Sequence, residues 1–251
     1  MLESLPEIES DLIEWPAAGE IFTPDGADQL MSKYDVLALY DMPGIRFVRG
    51  ETPQFDAPSS DVIAAWSRLT DKGMPVLSMH HSIASWPTWE GFAEIVKGRF
   101  HYVPARLRGI DMPDSGYAMK VPQVFSIADT QHPVCAGLPA TFELTDETYQ
   151  CPVFEEEIHV LITTDAPRDD SFHLSALAAV RREDNPQWTH APTSAAVAWT
   201  HTVGRSTVVY LQPGDGPEAF DNPTYRKLIA NSLGWLASAK PHAHTPDGGA
   251  K

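Results

Sequence analysis

The sequence predicts an α/β domain built on a doubly wound, mostly parallel sheet with helices on both faces. Three observations carry that prediction. Five short runs, residues 35–40, 74–79, 158–162, 195–199 and 207–211, are near-continuous in apolar residues, as expected of strands covered on both faces. Helical stripes separate some of them, and a strand–helix–strand order favours parallel pairing. Three of the strands are followed at once by polar or turn-forming residues: Asp41-Met42-Pro43-Gly44, His80-His81-Ser82-Ile83 and Gln212-Pro213-Gly214-Asp215-Gly216. In open α/β sheets, ligands bind outside the carboxyl ends of the strands.

Along the chain, residues 1–9 read as a short helix-like piece and 11–15 as a strand. A wound α/β domain usually opens on a hydrophobic strand. Two readings of this opening stand: the first strand and its loop are missing and Met1 is an internal start, or the fold begins on a helix. Residues 60–71 form a helix capped at Ser59 or Ser60, with Val62, Ile63, Trp66 and Leu69 on one face. A second helix covers 85–96, with Trp89, Phe92, Ala93 and Val96 inward. The Pro- and Gly-containing stretch 104–150 is expected to run beside the sheet edge. The last helix, about 223–238, has Pro223 in its first turn and the stripe Tyr225, Leu228, Ile229, Leu233 and Leu236. One domain over 1–238 and a disordered tail over 239–251 follow.

The 251 residues include 18 Lys and Arg against 34 Asp and Glu, a formal net charge of −16. That balance argues against nucleic-acid and acidic-membrane partners, since phosphate surfaces demand clustered cations. Two cysteines, Cys135 and Cys151, cannot make a disulfide framework or a four-thiolate zinc site. No apolar run reaches membrane-spanning length, and the acidic start lacks the features of a signal peptide. A cytoplasmic protein is expected.

Position alone marks several candidates. His80 or His81 could relay a proton or ligate a metal. Asp41, Gln212 and Asp215 face the presumed crevice, and Gly214 and Gly216 permit close backbone approach to a ligand. No His-Glu-x-x-His spacing exists, so a divalent metal would draw its ligands from distant loops. His132, ahead of Pro133, should cap a turn, His201 should sit in an exposed hairpin, and His159 is structural. The two cysteines read as inert. Trp86, Trp89, Tyr149 and Phe220 could stack on the apolar face of a ligand, but packing is the commoner role.

The stretch 72–83 resembles the nucleophile elbow of class I glutamine amidotransferases, Pro-Val-Leu-Gly-Ile-Cys-Leu-Gly. Overlaid, the cysteine falls on His80 and the elbow glycines on Ser78 and Ser82. The family's Gly-Gly-Pro-Gly oxyanion turn resembles residues 41–44, and its Phe-His-Pro-Glu falls on residues 211–214. An imidazole stands at the nucleophile position and an amide at the base position, so glutaminase activity is not expected.

A branch with this altered pattern is the ThuA-like, or trehalose-utilisation, family. The resemblance covers roughly 11–238 and rests on four stretches. The first is 34–41. The second is His80-His81 with Trp86, Trp89, Glu90 and Gly98-Arg99-Phe100. The third is 129–139 with 142–149. The fourth is Ala198-Trp199-Thr200-His201, Gly204-Arg205, 208–210 and Asn222-Pro223. Two departures stand out: Gly214-Asp215 replaces the family's Gly-His, and no Gly-Gly-His turn follows an opening strand.

The resemblance implies a flavodoxin-like fold of class I amidotransferase type. It also implies action on trehalose or related disaccharides after a partner dehydrogenase oxidises them to 3-keto sugars. A 3-keto group acidifies the neighbouring C–H, so His80 or Glu147 as general base could drive isomerisation, elimination or hydrolysis. His81, Asp41, Gln212 and Asp215 would bind substrate. No cofactor other than a divalent metal is suggested, and a homo-oligomer is compatible. A reading of a different class is a non-catalytic sugar- or small-molecule-binding module on an inactive amidotransferase scaffold.

Overall fold

The computed structural model describes Leu5, residues 8–15 and residues 17–241. Its elements in chain order begin with α1 (Ala17–Ile21), α2 (Pro24–Lys33), β1 (Leu37–Leu39), β2 (Ile45–Arg46) and β3 (Gln54–Phe55). Next come α3 (Ser60–Lys72), β4 (Val76–Met79), α4 (Glu90–Val96), β5 (Ala105–Leu107), β6 (Ile110–Met112), β7 (Gly116–Ile127) and β8 (Thr141–Gln150). The chain closes with β9 (His159–Thr164), β10 (Leu174–Ser175), α5 (Ala176–Arg181), β11 (Ala196–Val203), β12 (Ser206–Leu211), α6 (Pro217–Asp221) and α7 (Pro223–Ala239).

The main sheet runs β1-β4-β12-β11-β9-β7-β10, with β8 on the other edge of β7. Among the described residues, six of its eight strands point one way, but parallel hydrogen bonding is confined to β1–β4–β12. The sheet is therefore mixed, and the mostly parallel pairing expected from the apolar runs holds only at that end. The short turn between β11 and β12 explains part of the change, because a turn that short can join only antiparallel strands.

Alternation along β4 and β12 divides the core. Val76, Val208 and Tyr210 pack toward Trp66, Leu69 and Phe92 of α3 and α4. Leu77, Met79, Val209 and Leu211 pack toward Tyr225, Leu228, Ile229 and Leu233 of α7. Each strand thus buries both faces, which is why these runs are near-continuous in apolar residues. The caps follow the sequence: Ser59 accepts from the Val62 N–H, Gly73 ends α3 at φ 86°, and Asn222 accepts from the N–H groups of Thr224 and Tyr225.

Three expectations need correction. Residues 11–15 form no strand; Leu12 and Ile13 are exposed, and Trp15 instead packs edge-on against Trp86. The helix expected over 85–96 starts only at Glu90, because a 3-10 turn, His80–Ala84, intervenes and Trp86 lies at φ 49° ahead of Pro87. The stretch 104–150 is no edge excursion: it supplies β7 and β8, the two longest strands, which pair over most of their length. Their alternating pattern, with one face partly polar, hid them from a search for continuous apolar runs. The expected helix over 1–9 lies almost wholly outside the described residues, as does the tail beyond 241. Ala239 ends α7, and Lys240 donates to the Tyr34 carbonyl at 2.7 Å. No described helix is long and apolar enough to cross a membrane.

Candidate functional site

β4 ends at Met79, and the next residue, His80, turns the chain with φ 51°. A non-glycine residue in this left-handed region costs on the order of 1 kcal/mol, so surrounding contacts must hold it. They are present. The Tyr210 hydroxyl donates to the His80 carbonyl at 2.8 Å, and Nδ1 of His80 lies 2.9 Å from the Gln212 carbonyl. A carbonyl only accepts, so Nδ1 carries the proton and Nε2 is the ring's free nitrogen. The residue is 1% exposed.

Nε2 faces two carboxylates, Glu147 at 3.6 Å and Asp215 at 3.7 Å. The Tyr149 hydroxyl stands 3.0 Å from both ring nitrogens. Glu147 and Tyr149 reach the same imidazole because they lie two residues apart on β8, on one face of the strand. Asp215 comes from the loop after β12. The two carboxyls differ. Burial, reinforced by the charge of Asp215, pushes Glu147 up to about 7, against the opposing pull of His80 and Tyr149. The adjacent imidazole holds the more exposed Asp215 below the usual carboxylate range. Two acids pushed apart in this way can divide proton-donor and proton-acceptor work.

Aromatic side chains flank the cluster. Tyr40, just past β1, donates to the Gly214 carbonyl at 2.6 Å, and its ring lies 4.6 Å from His81 and 6.1 Å from Phe220. Burial, with help from Asp215, raises the Tyr40 phenol to about 12, so it remains a donor. Burial and neighbouring His80 push His81 down to about 4, which keeps it neutral near pH 7. The loop that carries Asp215 is anchored by Asp146, whose carboxylate accepts from the N–H groups of Glu147, Gly214 and Asp215 at 2.8, 2.6 and 3.1 Å. Gly214 lies at φ 140°, and a Cβ there would sit 3.3 Å from that of His80.

Of the sequence-predicted site residues, His80, Glu147 and Asp215 come together, and His81 lies beside them. Gln212 contributes its carbonyl rather than its amide. Asp41 lies on the His81 side, where its charge opposes the lowering of that imidazole; its carboxylate caps the Met42 N–H, and its carbonyl accepts from Ser85. Tyr40, Tyr210 and the anchoring role of Asp146 were missed; the position of Tyr40 at a strand's carboxyl end was the available signal. His132 does accept from the Val134 N–H. His201, expected in an exposed hairpin, is instead buried with Nε2 2.8 Å from the Ile95 carbonyl. His159 sits in β9 and pairs with Asp129 at 2.8 Å. Cys135 and Cys151 are buried, and burial raises their thiols to about 11 and 12.

One ligand atom each from His80, Glu147 and Asp215 lie within 4.8 Å of one another. Among the described residues, no other three His, Cys, Asp or Glu side chains do so. A divalent cation accepting one nitrogen and two oxygens would find its donors here.

Comparison with known proteins bears on this arrangement. The profile of the ThuA family, trehalose utilisation, matches residues 23–236. The chain belongs to the ThuA family. No match is found among curated protein sequences. Two ThuA-like crystal structures share the fold. One, from Bacteroides uniformis, has 16% identity and a TM-score of 0.55, over 86% of this chain and 72% of that one. The other, from Parabacteroides merdae, has 17% identity and a TM-score of 0.55, over 86% and 75%. A protein of Salmonella typhimurium described as cytoplasmic aligns at 14% identity with a TM-score of 0.51, over 83% and 74%. At these identities the likeness is one of fold. The ThuA profile spans every residue of the cluster, from Tyr40 to Asp215.

Proposed function

We propose that this ThuA-family chain acts on a carbohydrate, a disaccharide or its 3-keto derivative, by general acid/base chemistry centred on His80 and Glu147. The observation that carries the reading is the pinned imidazole. Its Nδ1 proton is committed to the Gln212 carbonyl, so Nε2 is directed at two carboxylates with opposite pKa shifts. In a 3-keto sugar the C–H beside the carbonyl is acidic, and ionised Glu147 or the neutral imidazole can remove that proton. The C–H electron pair forms the enolate, and the proton taken up by the base is then returned either to carbon, giving an isomer, or to the glycosidic oxygen, whose bond to the carbon β to the carbonyl breaks as the carbonyl re-forms. Asp215, ionised and half-exposed, accepts sugar hydroxyls at the mouth, and the Tyr40 ring offers a stacking face. A partner dehydrogenase would supply the keto sugar. The reading uses no thiol.

The test is turnover of 3-keto-trehalose by the native chain and by His80→Ala and Glu147→Gln. Each variant should lose about 10²-fold or more in kcat. Unchanged turnover in both sinks the proposal, and stabilisation by the sugar without product would favour a non-catalytic binding module on this scaffold.

A second reading, that the same three side chains hold a divalent cation, is favoured by their spacing of 4.8 Å or less. Elemental analysis of protein purified without chelator, with H80A alongside, decides it. One equivalent of metal, lost in the variant, supports it; less than about a tenth of an equivalent in native protein discards it.

A further inference from the structure

Behind β8, away from His80, lies a second collection of polar side chains that the proposed chemistry leaves unused. Thr148 and Gln150, fully buried on β8, carry an oxygen each with no partner among the described residues. His101, His173 and His190 are each more than nine-tenths buried, and each has an unpartnered Nε2. Arg168 joins them: its Nη1 donates to the Tyr149 carbonyl at 2.6 Å, while its Nε and Nη2 are buried and unpartnered among the described residues.

These groups converge on Gly116 at the start of β7. Gln150 is the cross-strand partner of Gly116, and its amide donates to the His190 carbonyl at 3.1 Å. A Cβ on Gly116 would meet Trp188 and His173 at 2.4 and 2.9 Å. The His101 N–H donates to Ser115 at 2.9 Å. Trp188 links them, since it lies against the same Gly116 position and its ring centroid is 6.0 Å from that of His190.

A guanidinium stays charged under all relevant conditions, and a buried one demands a counter-charge or a full set of acceptors. Arg168 has one carbonyl and no carboxylate among its partners. Its two open donors, Nε and Nη2, form the side-on fork that matches two oxygens of a carboxylate or phosphate. The imidazoles can complete the shell. Nδ1 of His173 lies 2.9 Å from the Asp169 carbonyl and that of His190 lies 2.8 Å from the Ala191 carbonyl. Each therefore keeps Nε2 open as an acceptor for the hydroxyl of a protonated oxyanion.

We propose that Arg168, His173 and His190, with the Thr148 hydroxyl beneath them, form a second binding site for a small oxyanion, a carboxylate or phosphate group. The site is separate from the His80 cluster: β8 turns the Tyr149 phenol toward His80 and presents the Tyr149 carbonyl to Arg168.

Calorimetric titration of the full chain with inorganic phosphate and, separately, with acetate tests this. Saturable binding of either supports the proposal, and the tighter of the two identifies the group. Arg168→Gln should weaken it about tenfold or more, while H80A should bind like the native chain. That pairing keeps the result independent of the carbohydrate reading. If R168Q fails to fold by near-ultraviolet dichroism, Arg168→Lys retains the charge without the fork and should still bind about tenfold more weakly. No heat with either anion at about 10 mM, or equal affinity in native and Arg168-substituted protein, overturns the site.

Discussion

Glu147 concentrates the residue-scale argument. Its carboxyl binds a proton more tightly in the folded chain, at about 7, than the ordinary value of 4.5 that an unfolded chain offers. The stabilising effect of that proton is complete below pH 4.5 and is lost as pH rises through about 7. Ionising Glu147 therefore costs folding free energy, about 2 kcal/mol by pH 8 once its partial contact with solvent is allowed for. Glu147→Gln should accordingly be more stable than native protein at pH 8 by about that amount and nearly equal to it at pH 4.5, measured by urea denaturation. If Glu147 is the base, turnover should rise with pH through the same region, and the rise should vanish in the variant. Identical stability differences at the two pH values would contradict the raised carboxyl. His80 and Asp215 were legible from the sequence because both directly follow strands. Tyr149, two residues beyond Glu147, was legible only as an aromatic, since its approach to His80 depends on the β7–β8 pairing that the sequence pattern concealed.

At the scale of elements, the His80 cluster depends on the junction between β8 and the loop after β12. Asp146 makes that junction by gathering three N–H donors onto one buried carboxylate. Asp146→Ala would leave those donors without their acceptor and release Gly214 and Asp215 from Glu147. A loss of about 2–4 kcal/mol in unfolding free energy is expected, together with loss of turnover beyond that of Asp215→Ala. A variant within about 0.5 kcal/mol of native would show that the loop is held by other contacts. The elements with continuous apolar runs, β4, β9, β11 and β12, were readable from sequence, as were α3 with its serine cap and α7 with Pro223 in its first turn. The long β7–β8 hairpin was not. Its strands interleave polar residues such as Gln123, Asp146 and Thr148 with apolar ones, and those polar groups serve the interior rather than solvent.

Over the whole molecule, the sheet changes character from one side to the other. Parallel strands occupy the β1 end, where helices of both layers cover both faces, and antiparallel strands occupy the rest. The apolar runs revealed the first region, and the class of the fold was read from it. The antiparallel half lacked such a signature, which is why the sheet was expected to be more uniformly parallel than it is. The acidic surface carries its few strong ion pairs in small groups, such as Arg108 with Glu94 and Glu157. They are partly exposed and contribute little individually to stability.

The connection between Tyr40 and Gly214 spans 174 positions, and that between His80 and Gln212 spans 132. During translation, a polypeptide halted before residue 206 already contains the imidazole and Glu147 but not β12, which lies between β4 and β11 at the middle of the sheet. Such a nascent chain has nothing to receive the Nδ1 proton and no loop for Asp146 to grip. Ribosome-bound chains arrested there should give no sugar-dependent protease protection, whereas chains extended past residue 241 and clear of the exit tunnel should acquire it in one step.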